Sequence, residues 1–265
     1  MISICVHSTN RGKYLEKFLK SLTQQTVKDF EVVIVDNNSK DNTEEVIEKY
    51  KEKLDINYVK FSHKIKEVSN LNPLAYNIAV ENAKYDKIIL TVSDVIFDIN
   101  NVKNALKLYD EKKVIYGRAL QVNNTELVKN IKKLDITQCP ELLEFDSKPS
   151  ETIDAYFKVH ETKIKQPVFY IAVFSKQSYK KIGGMDERFI WLVASSDVDL
   201  GFRLGCVAQV EYTDKLFVYH QKHRTQKIDT QKWNDGIKLR NQNHEKALAG
   251  KWYIENKKLN YKIEK

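Results

Sequence analysis

The stretch FEVVIVDNNSKDNT, residues 30–43, predicts the fold of the chain around it. Its first half, Phe30–Val35, is an unbroken apolar run rich in β-branched residues, which is typical of a buried strand. Its second half is a polar turn in which Ser39 can cap a helix that begins near residues 40–42. The stretch therefore indicates a strand that leads through a polar turn into a helix.

The same unit recurs on both sides of this stretch. Before it, the apolar run Ile2–Val6 is followed by apolar residues at helical spacing, which completes a βαβ pattern. After it, we expect a strand near 56–61, a helix near 73–83 and a strand at 87–92. Strands that alternate with helices predict an α/β fold, with a mostly parallel central sheet flanked by helices.

Polar residues follow three of the predicted strands. Ligands bind such sheets at the carboxyl ends of strands, so the turns after Val6, Val35 and Val92 are the expected site. Backbone amides at these turns can hold a base and phosphate oxygens. Residues 36–42 also fit a plain turn, because Asp and Asn favour turns. The candidate ligand-binding residues are His7, Ser8, Asn10, Arg11, Asp36, Asn38, Ser93 and Asp94.

The second half of the chain is less regular. Residues from about 121 to 166 have weak periodicity and contain two prolines, which indicates an irregular or lid-like insertion on the acceptor side. Periodic segments then return after residue 166. We expect a strand at 168–174, a helix at 176–181, a Gly183-Gly184 turn, a helix around 197–204, and strands near 207–212 and 216–219.

Composition indicates one continuous globular unit. The 265 residues are 42% hydrophobic and 30% charged, and no apolar run approaches the roughly 20 residues of a membrane-spanning helix. The apolar N-terminus lacks a basic region, so it predicts a first strand rather than a signal peptide. Cys5, Cys139 and Cys206 are widely spaced, which favours free thiols in a reducing compartment. We therefore expect a cytoplasmic protein.

The C-terminal residues 221–265 are strongly basic, with 12 Lys and Arg against 5 Asp and Glu. Such a tail can attract phosphate-rich substrates, an anionic membrane surface or nucleic acid. It also fits a solvated lysine-rich surface. We expect it either to dock against the core or to hold an anionic lipid-linked acceptor, with peripheral contact at the inner membrane face and no nucleic acid. The oligomeric state is not predicted.

Two groups of motifs carry a resemblance to a known family. Residues 2–11 and 14–26 resemble the first strand and helix of glycosyltransferase family 2, and residues 30–43 resemble its nucleotide-binding turn. Residues 182–191 and 196–204 resemble its Gly-Gly-x-Asp-Glu-x-Phe stretch and the acidic helix start that follows. The likeness covers about residues 2–95 and 167–220. It implies a GT-A, Rossmann-like domain at 1–220, with a nucleotide-binding half (about 1–100), an acceptor-side half (about 101–220), and a basic helical extension at 221–265.

The resemblance implies a donor and metal site at the strand ends. A UDP-linked sugar would bind there through the candidate residues named above, with Asp36 on the base. The family's Asp-x-Asp corresponds to Val92-Ser93-Asp94, so only the second carboxylate remains. His220, in Val218-Tyr219-His220, matches a family histidine that can complete coordination, and His223 is a nearby substitute. Asp94 and His220 are thus the expected ligands of Mn²⁺ or Mg²⁺.

The resemblance also implies an acceptor site and a catalytic base. Asp197 occupies the position of the base that takes the acceptor proton, although Ser196 replaces the acid before it. The alternative is that Asp197 caps a helix while Asp199 and Arg203 form a surface ion pair. The expected acceptor-binding residues are Gly184, Asp186, Glu187 and Trp191. Trp191 can stack on a sugar, although a buried core tryptophan fits as well.

Three functions fit these residues. The leading hypothesis is an inverting transfer of a sugar from a nucleotide sugar to a hydroxyl of a saccharide or lipid-linked acceptor. Because Val92 and Ser196 replace two expected acids, a catalytically weakened nucleotide-sugar-binding protein is the alternative. A nucleotidyltransferase ranks last, since residues 7–13 contain a single glycine and lack that class's glycine-rich loop.

Overall fold

The structure is a computed structural model that describes residues 1–122, 170–193, 195–221, 229–257 and 259–264. The predicted insertion, apart from its first two residues, lies outside the described residues, as do Cys139 and His223. Cys5 and Cys206 are free thiols, as predicted.

Strands and helices alternate along the chain, and a helix and a strand follow at the C-terminus. The strands are β1 (Ile2–Ser8), β2 (Phe30–Asp36), β3 (Ile56–His63), β4 (Lys87–Thr91), β5 (Val95–Phe97), β6 (Lys113–Val122), β7 (Ile171–Ser175), β8 (Gln209–Gln221) and β9 (Tyr261–Glu264). The helices are α1 (Gly12–Thr23), α2 (Thr43–Lys51), α3 (Asn72–Asn82), α4 (Asn101–Leu108), α5 (Lys176–Lys181), α6 (Ser196–Gly205) and α7 (Thr230–Leu248), with a 3₁₀-helix at Glu187–Trp191.

The described strands form a nine-stranded sheet in the order β5-β8-β6-β7-β4-β1-β2-β3-β9. Strands β1 to β4 run parallel, as the strand–helix pattern predicted. Strand β7 is antiparallel to both neighbours, and so are the edge strands β5 and β9 to theirs. The sheet of described strands is therefore mixed, and the predicted parallel arrangement holds for β1 to β4.

Helices cover the sheet on two faces because apolar side chains alternate along its central strands. In β1, Ile4 and Val6 pack on one side with α1, α2 and α4, while Cys5 packs on the other with α3, α5 and α6. Strand β2 divides in the same way, with Ile34 on the first side and Val35 on the second. Strands that are buried on both faces explain the unbroken apolar runs in the sequence.

Two local predictions were wrong. Ser39 does not cap α2, because its N–H and hydroxyl both donate to Asp36 Oδ1, at 3.0 and 2.5 Å. Asp41 binds the start of α2 instead, accepting from the Thr43 N–H at 3.1 Å. The strands predicted near 207–212 and 216–219 belong to one strand, β8, whose pairing with β6 is interrupted between Tyr212 and Phe217.

The basic tail packs against the core. Helix α7 lies on α6, with Asn243 and His244 buried and the His244 ring stacked on Phe202 at 3.8 Å. Strand β9 pairs with β3 and forms one edge of the sheet. For residues 229–257 and 259–264, the structure therefore shows the first of the two expected arrangements, in which the tail docks against the core. The division at residue 220 and the membrane contact stay predictions. None of the described helices is both long and apolar enough to cross a membrane.

Two glycines near the tail offer a matched test of this docking. Gly183 and Gly250 both have left-handed backbone, with φ of +78° and +80°. A Cβ on Gly183 would collide with the backbone carbonyl of Ile254, whereas one on Gly250 would meet only the Trp252 ring at 3.9 Å. We expect Gly250→Ala to destabilise the fold by about 1 kcal/mol and Gly183→Ala by about 3 kcal/mol, measured by urea unfolding. Equal losses would contradict the docking of residue 254.

Candidate active site

The carboxyl ends of β1 and β2 lie side by side, and hydrogen bonds join the turns that follow them. Ser8 is in register with Asp36. Asn10 donates its N–H to Ser39 Oγ at 2.8 Å, and its Oδ1 accepts from the Lys40 N–H at 2.7 Å. Asn10 and Asn38 have φ of 53° and 47°, a backbone conformation that Asn tolerates well. The predicted nucleotide-binding turns therefore form one connected surface.

Asp36 is almost fully buried at the end of β2. Its Oδ1 accepts two hydrogen bonds from Ser39, and its Oδ2 accepts one from Tyr58 Oη at 2.8 Å. Burial, together with this bond to Asp36, raises the pKa of Tyr58. A carboxylate oxygen can accept two hydrogen bonds, and Oδ2 accepts one from the described residues. Asp36 can thus order the turn and still accept from a ligand.

His7 and Ser8 place polar atoms at the end of β1. Burial lowers the pKa of His7 to about 4, so its imidazole is neutral at physiological pH. The His7 ring packs edge-on against Tyr76, 5.1 Å between centroids. Among the described residues, His7 Nδ1 and Ser8 Oγ have no hydrogen-bond partner. Buried polar atoms without partners are rare, so these two suit a ligand at this end of the sheet.

Asp94 and His220 come together where β5 pairs with β8. Val95 is in register with His220, and the Gln221 N–H donates to the Asp94 carbonyl at 2.8 Å. His220 Nε2 lies 3.7 Å from Asp94 Oδ1. Arg11 Nη1 lies 2.7 Å from Asp94 Oδ2. Arg11 lies 83 positions from Asp94 in the chain, and it places a guanidinium on the same carboxylate that His220 approaches.

The pair of Asp94 and His220 fits a divalent cation that is also bound by a substrate. A carboxylate and an imidazole suit Mn²⁺, and Mg²⁺ commonly combines one or two protein ligands with substrate phosphates. Within the described residues, no group of three or more His, Cys, Asp or Glu side chains could hold a metal alone. A diphosphate and water would have to supply the remaining ligands.

A cavity of about 350 Å³ adjoins this surface at the end of β4. Val92, which stands where an acid was expected, lines it together with Asp197 from the start of α6. Helix α7 contributes Trp233, Ile237 and Arg240 to the same wall. Sequence reasoning missed these three residues. Their spacing of i, i+4 and i+7, which marks one face of a helix, was the signal that could have found them.

Asp197 is a half-buried carboxylate in the first turn of α6. Burial raises the pKa of Asp197, while its hydrogen bonds to backbone N–H groups and the charge of Arg240 oppose this rise. A raised pKa makes the carboxylate a stronger base. Ser195 occupies the N-cap position of α6, so the alternative in which Asp197 caps the helix is wrong.

The predicted pair of Asp199 and Arg203 forms, but it is buried rather than on the surface. Both side chains are 0% exposed, and Arg203 Nη2 lies 2.7 Å from Asp199 Oδ2. Arg203 Nη1 also donates to the carbonyls of Ile182 and Gly184, at 2.9 and 2.8 Å. The pair therefore ties α6 to the Gly-Gly turn and holds Asp197 in position.

Most of the residues predicted to bind an acceptor hold the Gly-Gly turn together. Asp186 accepts from Arg188 and from Asn243 of α7, and Glu187 accepts from Asn77 at 2.9 Å. Burial raises the pKa of Asp186, but these hydrogen bonds outweigh it and lower the pKa overall. Acceptor binding by Gly184, Asp186 and Glu187 stays a prediction.

Trp191 is 38% exposed, so the alternative of a buried core tryptophan is wrong. Its Nε1 donates to the Lys66 carbonyl at 3.1 Å, which holds the indole ring at the surface. Stacking of this ring on an acceptor sugar stays a prediction.

The family model described as glycosyl transferase family 2 matches residues 3–182, well over half of the chain. The chain belongs to glycosyl transferase family 2. The matched segment contains the strand-end turns and stops just before the Gly-Gly turn. It ends before Asp197, His220 and α7, so the roles of these residues remain predictions.

Three relatives of this family 2 chain show how far the likeness extends. Chondroitin synthase of Pasteurella multocida is 28% identical over 83% of the chain, which spans only 25% of that protein. The crystal structure of Staphylococcus aureus TarS 1–349 with UDP-GlcNAc matches 90% of the chain and 65% of the TarS 1–349 chain, with a TM-score of 0.68 and 19% identity. The mannosyltransferase PcManGT from Pyrobaculum calidifontis, in complex with GDP-Man and Mn²⁺, matches 94% of the chain and 64% of its own, with a TM-score of 0.56 and 16% identity.

Proposed function

We propose that this family 2 chain transfers a sugar from a UDP-linked donor to a hydroxyl of a saccharide or lipid-linked acceptor, with inversion at the anomeric carbon. The observation that carries the proposal is the junction of two sites at the end of β4. Asp94 faces the connected strand-end turns, and Val92, two residues earlier, lines the cavity that contains Asp197. A donor on the turns would therefore present its sugar to an acceptor in the cavity.

The nucleotide part of the proposal rests on the strand-end turns and on the relatives. The TarS complex contains UDP-GlcNAc and the PcManGT complex contains GDP-Man. The TarS match has the higher TM-score of the two, which supports UDP as the nucleotide. In this proposal Asp36 Oδ2 accepts from the base, while His7, Ser8, Asn10, Arg11, Asn38 and Ser93 surround the rest of the donor.

Asp197 acts as the general base in this proposal. Its carboxylate takes the proton from the acceptor hydroxyl as the acceptor oxygen bonds to the anomeric carbon. The bond from that carbon to the phosphate oxygen breaks on the opposite face, and its electron pair leaves with the nucleoside diphosphate. The raised pKa of Asp197 favours uptake of the proton.

Asp94 and His220 would hold a divalent cation, Mn²⁺ or Mg²⁺, which neutralises charge on the leaving diphosphate. Arg11 supplies a fixed positive charge at the same place, 2.7 Å from Asp94. The chain thus provides two sources of positive charge where the leaving group develops its negative charge.

A thermal-shift screen tests the donor part of the proposal. A ligand at 100 times its Kd stabilises the folded state by about 2.7 kcal/mol. We expect UDP-sugars to raise the unfolding temperature more than GDP-sugars do, and chelation by EDTA to reduce the effect. Asp94→Asn should weaken the response to Mn²⁺. No shift with any nucleotide sugar would contradict the proposal.

An assay of UDP release, with added Mn²⁺, separates the alternative of a binding protein without turnover. Val92 and Ser196 stand where acids were expected, and both line the cavity. If the chain binds a UDP-sugar but releases no UDP, with or without added acceptors, the binding alternative is correct and the transfer proposal is wrong.

A further inference from the structure

Arg240 of the tail helix faces the cavity that contains Asp197, and these two are the charged side chains among its described lining residues. We propose that Arg240 binds an anionic group of the acceptor, a carboxylate or a phosphate, close to the hydroxyl that is glycosylated. This inference rests on the proposed function and adds the chemical class of its acceptor.

Arg240 differs from the other described arginines in its partners. Arg11, Arg118, Arg188 and Arg203 each form an ion pair with an aspartate. Arg240 Nε and Nη2 both donate to Asn241 Oδ1, at 3.2 and 2.9 Å, and none of the described carboxylates forms an ion pair with it. Asp197 and Asp199 act on this half-buried guanidinium through their charge without forming an ion pair, so an anionic ligand in direct contact would compensate it further.

The surroundings of Arg240 suit a charged sugar or polyol. Ile237 and Trp233 lie one and two turns earlier on the same face of α7 and give the wall an apolar surface. Asn70 and Asn72 line the cavity with amides that can bind hydroxyl groups. A guanidinium binds carboxylate and phosphate through paired hydrogen bonds, which makes it selective for these groups.

A buried network holds Arg240 in this position. Asn243, one turn further along α7, donates to Asp186 Oδ2 at 2.8 Å and to Asp199 Oδ1 at 2.9 Å. Arg188 Nη2 donates to Asn243 Oδ1 at 2.9 Å. Both aspartates belong to segments that position Asp197. The network therefore fixes the anion-binding residue relative to the catalytic base before any ligand arrives.

The competing explanation is that Arg240 serves only to lower the pKa of Asp197. That role would act equally on charged and uncharged acceptors. Selectivity between matched ligands therefore distinguishes the two explanations.

Binding of small probes tests the proposal. Glucuronate supplies a carboxylate, glucose 6-phosphate supplies a phosphate, and glucose is the uncharged control. Each is titrated calorimetrically into the full chain, with and without saturating UDP. We expect at least one anionic probe to bind ten or more times more tightly than glucose, and its identity tells carboxylate from phosphate. Arg240→Gln should abolish this preference, and Arg240→Lys should retain part of it.

Lys238→Gln is the matched control, because Lys238 is exposed on the same helix and does not line the cavity. It should leave the preference unchanged. The proposal is wrong if the parent does not distinguish the anionic probes from glucose, or if Arg240→Gln keeps the preference. Failure of the proposed function would look different. The chain would then bind no nucleotide sugar, while its anion preference could still be measured without UDP.

Discussion

Asp197→Asn is expected to lower the rate of sugar transfer by about 10²–10⁴-fold, the range that a general base typically contributes. Asparagine has nearly the same shape and can still accept hydrogen bonds from the first turn of α6, but it cannot take a proton from the acceptor. The measurement is kcat/KM for transfer from the UDP-sugar that the thermal-shift screen selects. Affinity for UDP should not change, since Asp197 lies in the cavity and not on the strand-end turns.

The pH dependence of the parent's transfer rate is a second test of Asp197 as the base. Transfer requires ionised Asp197, so its rate should fall as the pH decreases through the pKa of this group. Burial raises that pKa above 3.8, and the acidic limb should therefore lie above pH 3.8. A variant rate within threefold of the parent would show that Asp197 is not the base.

Two controls separate loss of chemistry from loss of folding. Asp55→Asn changes an exposed aspartate just before β3, at the end of the parallel strands opposite the strand-end turns, and should keep full activity. Because the folded state raises the pKa of Asp197, ionised Asp197 is less favourable in the folded than in the unfolded chain, and stability falls as the pH rises through this pKa. Asp197→Asn should therefore unfold at the same temperature as the parent, or higher, at neutral pH.

Arg203→Met is expected to lower the free energy of unfolding by about 3–5 kcal/mol. The Arg203 side chain is fully buried and binds Asp199 and two carbonyls of the Gly-Gly turn. Methionine fills part of the space but leaves the Asp199 carboxylate buried with Asn243 as its remaining side-chain donor. Urea unfolding, followed by circular dichroism, measures the loss.

Two further variants make this result interpretable. Arg203→Lys keeps the positive charge but loses the paired geometry, so its loss should be intermediate. Lys113→Met breaks an ion pair with Glu211 of similar length, 2.9 Å, whose side chains are about one-third exposed. It should cost at most about 1 kcal/mol. Equal losses for Arg203→Met and Lys113→Met would contradict a structural role for the buried pair.

Much of the N-terminal half could be predicted from sequence because its signals are local. The apolar runs of β1 and β2 and the polar turns after them mark parallel strands and their ligand-binding ends. Asn10, bonded to residues 39 and 40, shows that these turns meet as expected. Asp94 and His220 were also expected together, and they lie 3.7 Å apart.

Predictions failed where a residue's partner lies far along the chain. Ser39 has the character of a helix cap, but its Oγ accepts from the N–H of Asn10, 29 residues away, and donates to Asp36. Asp199 and Arg203 have the spacing of a surface pair, and burial of their helix by the tail and the Gly-Gly turn changes what the pair does. The tail itself carries a weak apolar pattern among many lysines, so the sequence left open both a solvated surface and docking against the core.

The sequence by itself determined the α/β class, the family and the polar strand ends, because periodicity, turn chemistry and short motifs act within a few residues. Only the tertiary structure decided that helix α7 completes the cavity and that Arg240 faces Asp197. The physical reason is that Arg240 is placed by the buried bonds from Asn243 to Asp186 and Asp199, which are 57 and 44 residues away. No local pattern encodes such contacts, since they form only once the sheet and α6 are packed.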